Sequence, residues 1–337
     1  MKKEIGIASL LFVLCTVTAI LNPQFLSATN LTNLANSIGL FGIFSLGLGI
    51  VIITGGIDLS VGSVFALAGV LLAMMLTEWH WPWPVAALVA IAIPTVLGWL
   101  NGLLITRLKI QPFVVTLCGL LIYRGLARYV ADDGTKGFGA SEGFGPLKYL
   151  ASGRLFRQVV EEPVDGVMKS RVVFEGIPMP FVVLIFIAII MWFVLHRSIY
   201  GRYLFAVGRN EESTRFSGIN TRWVVTSSYI VCGILTGIAG ILIAFYTNSI
   251  GPANHGNFYE LYGIAAAVLG GCSLRGGEGS IIGIIIGTAL FQVLQNVVNL
   301  LSIPSSLNFT FMGTVLLIGV LGDQIYQARS AKKNARG

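Results

Sequence analysis

From Ile5 to Ile57 the sequence contains no Asp, Glu, Lys or Arg, and after Asp58 the next charged residue is Glu78. A hydrocarbon core about 30 Å thick takes roughly 20 apolar residues per helix. Measured this way, the chain divides into ten apolar segments, near 5–22, 33–54, 59–77, 85–106, 112–131, 179–196, 223–247, 260–273, 281–300 and 307–325. Only 11% of the residues are charged, against about 25% in soluble proteins. The runs lack the two-residue alternation of a membrane barrel strand. The expected fold is therefore an all-α integral membrane protein of about ten spans, forming a single domain over 1–337. The 41 glycines suit close helix packing.

An even number of spans puts both termini on one side, and short loops rich in Lys and Arg stay cytoplasmic. With the termini inside, the inner segments carry Lys2, Lys3, Arg107, Lys109, Arg197, Arg202, Arg209, Arg215, Arg222, Arg275, Arg329, Lys332, Lys333 and Arg336. The remaining basic residues fall between Arg124 and Arg171, at or in one long outer loop, 132–178, where acids are also plentiful. Topology thus accounts for the net charge of +7, and no nucleic acid partner is expected. Lys2 and Lys3 precede an apolar run without a small-residue cleavage pattern, so an uncleaved first span is expected. Cys15, Cys118, Cys232 and Cys272 show no CxxC spacing and are expected to be packing residues, with no metal site.

In this topology Asp58 falls at the inner turn between spans two and three, in or near water. Gly55 and Gly56 permit the turn, and Asp58 or Ser60 is placed to cap the next helix. A helix-end site sensing substrate or partner is the alternative. The stretch GGIDLSVG at 55–62 returns as GGCSLRGG at 270–277, making Gly270 and Gly271 a second inner turn. Downstream, Gly279, Gly283 and Gly287 form a small-residue face. The inner segment 197–222 has the pattern of a short capped helix, with Asn210 as N-cap, Glu211 and Glu212 in the first turn and Gly218 at the end. By itself this is equally a surface turn.

No Gly-Lys pair occurs, which excludes a P-loop. The G-x-S-x-G match at Gly139–Gly143 lies in a polar loop without a preceding strand. Ion-coupled carriers place acids or histidines inside their spans, whereas Arg124, Arg128, Glu260 and Asp323 all lie near predicted span ends.

The combination of GGIDLSVGS, GRNEESTRFSGIN and ELYGIAAAVLGGCSLRGGEGSIIG resembles the permease subunit of bacterial ABC importers for monosaccharides of the ribose, xylose and galactose type. The resemblance implies an inner-membrane subunit without catalytic residues or a cofactor of its own, since ATP and magnesium are bound by a separate ATPase. It also implies a periplasmic binding protein and a second permease chain, identical or similar. Asn210, Glu211, Glu212, Ser213, Arg215 and Gly218 take the position of the helix that couples to the ATPase. Related permeases carry autoinducer-2, nucleosides or branched-chain amino acids, and an ion-coupled secondary carrier is a further alternative. The chain departs from the family in its outer loop, where residues 154–176 resemble an insertion, either a docking element or a solvated loop.

A neutral sugar calls for amides, hydroxyls and aromatic faces. Tyr246, Asn248, Asn254, His255, Asn257, Phe258 and Tyr259 supply them at an outer helix end, with Asn101, Asn296 and Asn299 in or near spans. Turn formation at 248–257 and bonding between helices by the asparagines are the competing readings.

Overall fold

Helices end where the sequence supplies a residue able to take their last carbonyls, and two such endings shape this protein. The computed structural model describes residues 2–139, 143–164 and 167–304, with isolated positions at 307, 310, 313, 314 and 317. Its helices are α1 (Lys2–Leu21), α2 (Ala28–Ile53), α3 (Val61–Thr77), α4 (Trp83–Leu108), α5 (Pro112–Val130), α6 (Gly145–Ser152), α7 (Met179–His196), α8 (Ile199–Arg209), α9 (Glu211–Phe216), α10 (Thr221–Thr247), α11 (Tyr259–Leu269) and α12 (Ile281–Leu300). The first nine predicted spans fall on α1 to α5, α7, α10, α11 and α12. The tenth lies outside the described residues apart from isolated positions. Seven of the described helices are long and apolar enough to cross a membrane, while α3 and α11 are shorter.

The bundle is built around α2, buried at every position from Gly42 to Thr54. Its glycines face three different neighbours: Gly42 meets Leu184 of α7, Gly47 meets Cys232 of α10, and Gly49 meets Ile284 of α12. α4 and α10 lie closest, because Gly98 and Gly102 on one face Tyr229 and Thr226 on the other, while Gly233 and Gly237 return the contact at Pro94 and Ile91. Small residues four apart bring helix backbones together where lipid gives no hydrophobic drive. On α12 the same device uses Gly283 and Gly287, packed on Ala266 of α11 and on Gly270 just past its end. Gly279 precedes the helix and belongs to the turn rather than to that face.

The loop 132–178 is structured among its described residues, and it adds short strands to the expected all-helical fold. Strand β1 (Lys136–Gly137) pairs with β6 (Ser249–Ile250), β2 (Arg154–Leu155) with β5 (Ile177–Pro178), and β3 (Gln158–Val164) with β4 (Val167–Phe174), all antiparallel. The base of the β3–β4 hairpin is pinned by an Arg154–Glu175 ion pair and by Thr29, which donates to Glu175 at 3.2 Å. Phe138 stacks on Phe245 at 4.2 Å near the C-terminal end of α10.

Candidate functional site

One end of the bundle is organised by two glycine turns. At the close of α2, the N–H of Gly55 donates to Ile52 O at 2.9 Å and that of Gly56 to Val51 O at 3.1 Å, with Gly55 at φ +81°. At the close of α11, Gly271 donates to Val268 O at 2.9 Å and Cys272 to Ala267 O at 3.0 Å, with Gly271 at φ +89°. Both are Schellman endings, in which a left-handed residue lets two N–H groups turn back onto the last carbonyls. The structural match is offset by one from the sequence match: Gly55 corresponds to Gly271, and Gly56 to Cys272. Gly56 is constrained by space, since a Cβ there would stand 2.7 Å from the Tyr229 hydroxyl.

Onto these turns sits the segment leading into α9. Gly277 N–H donates to Ile53 O at 2.8 Å. A Cβ on Gly208 would overlap Ile53 O and Gly277 N, and one on Gly276 would stand 2.9 Å from Gly55 N. Backbone therefore meets backbone where α8, α2 and the 270–280 turn converge, with no flexible side chain between them. Asn210 ends α8 and caps α9, its Oδ1 accepting the Ser213 N–H at 2.8 Å. Glu211 and Glu212 lie in the first turn, and Gly218 follows the helix at φ +84°. Every local feature expected of this helix is present. Phe216 projects from it 78% exposed, with the Arg215 guanidinium 5.7 Å from its ring. Beside α9 lies a cavity of about 570 Å3 that reaches from Lys109, Gln111 and Arg222 up to Gly55 and Gly56.

Beyond Gly56 the chain runs inward to Ser60 before α3 begins, and Asp58 is only 4% exposed. This corrects its expected place in or near water and its expected role as a helix cap. Its Oδ1 accepts the Ser60 N–H at 2.9 Å and the Ser60 hydroxyl at 2.6 Å. Asn101 donates to Ser60 Oγ at 3.1 Å, and Tyr123 donates to Asn101 Oδ1 at 3.2 Å. Every donor in the chain points towards the carboxylate. The Ile57 carbonyl is held by the Tyr229 hydroxyl at 3.1 Å and the Thr116 hydroxyl at 3.3 Å. These two hydroxyls draw the segment into the bundle rather than out to solvent.

A second irregular segment meets it from the other side. After β6 the chain turns through residues 251–258 and starts α11, whose 11 residues span about 16 Å. Tyr259 therefore stands about halfway through a ~30 Å core. Arg124 Nη1 donates to the carbonyls of Pro252 at 3.0 Å and His255 at 2.6 Å. Gly62, in the first turn of α3, faces Glu260 and the Gly256 carbonyl. Glu260 is 6% exposed and within electrostatic reach of Arg124. Both were expected near span ends, and Glu260 is the second residue of α11 and Arg124 lies six residues before the end of α5; what the sequence did not show is that Glu260 is buried there and that Arg124 is half-buried. Above this junction Phe44 stacks on Tyr259 at 6.0 Å, and Tyr262 meets Phe291 at 5.0 Å.

The expected pathway residues separate into groups. Asn254, Asn257 and Phe258 are exposed on the mid-depth segment, and Tyr259 joins the aromatic cluster behind them. Asn101 belongs to the Asp58 network. Tyr246 is exposed at the C-terminal end of α10, and Asn248 is that helix's left-handed cap, φ 55°. Asn296 pairs reciprocally with Asn30, at 2.7 and 3.2 Å, and so joins α12 to α2. Arg124, Thr116 and Tyr229 carried no local signal of their partners, which lie 59 to 172 residues away.

A family model described as branched-chain amino acid transport system / permease component matches residues 30–321. The ribose import permease protein RbsC of Bacillus subtilis (strain 168) is 37% identical over 315 residues, 93% of this chain and 90% of the relative. RbsC of Escherichia coli K12 is 33% identical, over 93% of this chain and 91% of the relative. The xylose transport system permease protein XylH of the same strain is 29% identical, over 96% and 92%. No solved structure matches. Together with the apolar helices, these relatives make the protein a multi-pass protein of the inner membrane. The chain belongs to the family of transport-system permease components that this model describes.

Proposed function

We propose that the chain is the permease subunit of an ABC importer and forms the path for a monosaccharide delivered by a periplasmic binding protein. The relatives named for ribose and xylose import support the substrate class. In this reading the chain is one permease domain of ten spans with both termini cytoplasmic. It has no catalytic residues or cofactor of its own, and works with an ATPase subunit and a second permease chain.

The observation that carries the reading is the glycine seat beneath α9. In this reading a push on α9 passes through Gly208, whose backbone meets Ile53 O and Gly277 N, to the ends of α2 and α11. From there two short segments lead to the mid-depth junction, where Asn254, Asn257 and Phe258 offer amides and an aromatic face. Irregular backbone at membrane depth is stable only when covered by protein or lining water, and a pathway shared with a second permease chain meets that condition.

The test is uptake by proteoliposomes containing this chain, its ATPase and its binding protein. Sugar uptake is expected to require all three and ATP. Uptake by the chain alone, driven by an ion gradient, would overturn the reading in favour of a secondary carrier.

A further inference from the structure

Between the start of α3 and the middles of α4 and α10 lies a cavity of about 10 Å3, room for one water-sized occupant. Four polar side chains line it, Asp58, Ser60, Asn101 and Thr236, and they are 4, 1, 2 and 2% exposed. The rest of the lining carries no polar side chain. Ser60 gives both its N–H and its hydroxyl to Oδ1 of Asp58, which leaves Oδ2 unbonded among the described residues. The Thr236 hydroxyl makes no hydrogen bond among the described residues, although the Cys232 thiol, a weak group, lies one turn before it. Asn101 Oδ1 and Ser60 Oγ each accept one hydrogen bond and keep a lone pair free. The charges here do not balance. Glu260, also buried, is within electrostatic reach of both Asp58 and Arg124, so one arginine faces two carboxylates. No ion pair joins Asp58 to a basic side chain among the described residues.

We propose that this cavity binds one sodium ion, held by the Asp58 carboxylate and the Thr236 hydroxyl with Asn101 and Ser60 beside them. A buried carboxylate is costly without a cation or a proton. A proton on Oδ2 needs an acceptor within reach, and the Thr236 hydroxyl of the same cavity takes no such bond. A water fills the space but leaves the charge. A small cation does both, and hard cations take oxygen ligands of these kinds. Ca2+ calls for about 6–8 oxygens, more than four side chains supply, and Mg2+ keeps waters for which the cavity has no room. Potassium is the larger monovalent ion and fits less well. The sodium is a resident ligand that ties the 54–60 segment to α10, not a driving ion, so the inference stands apart from the transport reading. With equal sodium on both sides of the membrane, ATP-driven uptake should persist.

The experiment is thermal melting of the purified full chain in detergent, in sodium chloride, potassium chloride and choline chloride at equal ionic strength, together with binding of radioactive sodium. With sodium about tenfold above its dissociation constant, the melting temperature of wild type should rise by about 3 °C over choline, and by less in potassium. Wild type should bind one sodium per chain. Thr236→Val keeps the side-chain shape without the oxygen; it should melt as wild type does in choline and lose the response to sodium, and Thr236→Ser should restore it. Asp58→Asn, which keeps the acceptor for Ser60 but not the charge, should bind no sodium. Equal melting of wild type in sodium and choline would overturn the proposal and leave a proton or a water in the cavity. Thr236→Val with the full sodium response, or wild type without bound sodium, would overturn it as well.

Discussion

Gly208 of α8 and Ile53 at the end of α2 approach so closely that the Ile53 carbonyl occupies the space a side chain on residue 208 would need. The same carbonyl accepts the Gly277 N–H at 2.8 Å. One atom therefore joins the end of α2, the turn after α11 and the lead-in to α9.

Gly208→Ala is expected to push these segments apart. Overpacking of this kind costs about 1–3 kcal/mol, and it falls where the proposed coupling route meets the end of α2. ATPase-supported uptake should drop steeply while membrane insertion and ATPase binding persist. Uptake equal to wild type at equal expression would remove the seat from the coupling route.

Phe216 is the exposed aromatic of α9, flanked by Arg215. Aromatic and arginine anchors dominate interface energy, at about 2 kcal/mol or more when truncated. Phe216→Ala should therefore weaken ATPase association roughly thirtyfold, measured as the concentration that restores sugar-stimulated hydrolysis. Phe216→Pro should go further and uncouple hydrolysis from uptake, because it also removes a helical N–H donor.

The helices and the capped α9 were legible because their signals are local: apolar runs, Asn210, the paired acids and Gly218. The two glycine turns were legible as turns but not in register. A Schellman ending is counted from the last helical residue, which is Ile53 in one case and Leu269 in the other, not from the first glycine of a matching string. The position of Asp58 was not legible. The glycines mark where α2 stops, but the inward course of the next residues depends on Tyr229 and Thr116, distant in sequence. The burial of Glu260 depends on its contact with Gly62 of α3, which no pattern within 245–263 announces. Asn296 looked the same as Asn254 on paper, and only its reciprocal pairing with Asn30 separates a helix tie from an exposed amide.

The Asp58 network gives a stability prediction with a built-in contrast. Asp58→Asn keeps an acceptor for the Ser60 N–H and hydroxyl, whereas Asp58→Ala leaves both donors buried without it. Unsatisfied buried groups cost about 1–3 kcal/mol each. The alanine variant should lose several degrees in melting temperature in detergent, and the asparagine variant much less. Tyr229→Phe, which removes one of the two hydroxyls on the Ile57 carbonyl, should fall between them. Equal melting for all three would mean that the network does not hold the segment in place.

The last prediction concerns the mid-depth segment. Asn254 and Asn257 are exposed although α11 begins only about 16 Å from the turn that ends it. If the segment faces a water-filled path, cysteines at these positions in a cysteine-free background should react with a small charged thiol reagent, and saturating substrate with the binding protein should slow the reaction. A cysteine at Leu121, exposed on the apolar surface of α5, should stay unreactive because lipid excludes the reagent. Arg124→Gln tests the same surface from behind, since it weakens the grip on the Pro252 and His255 carbonyls. It should raise the reactivity of the Asn254 cysteine as the segment loosens. Reactivity at Leu121 equal to that at Asn254 would show that exposure in the single chain does not mark the path.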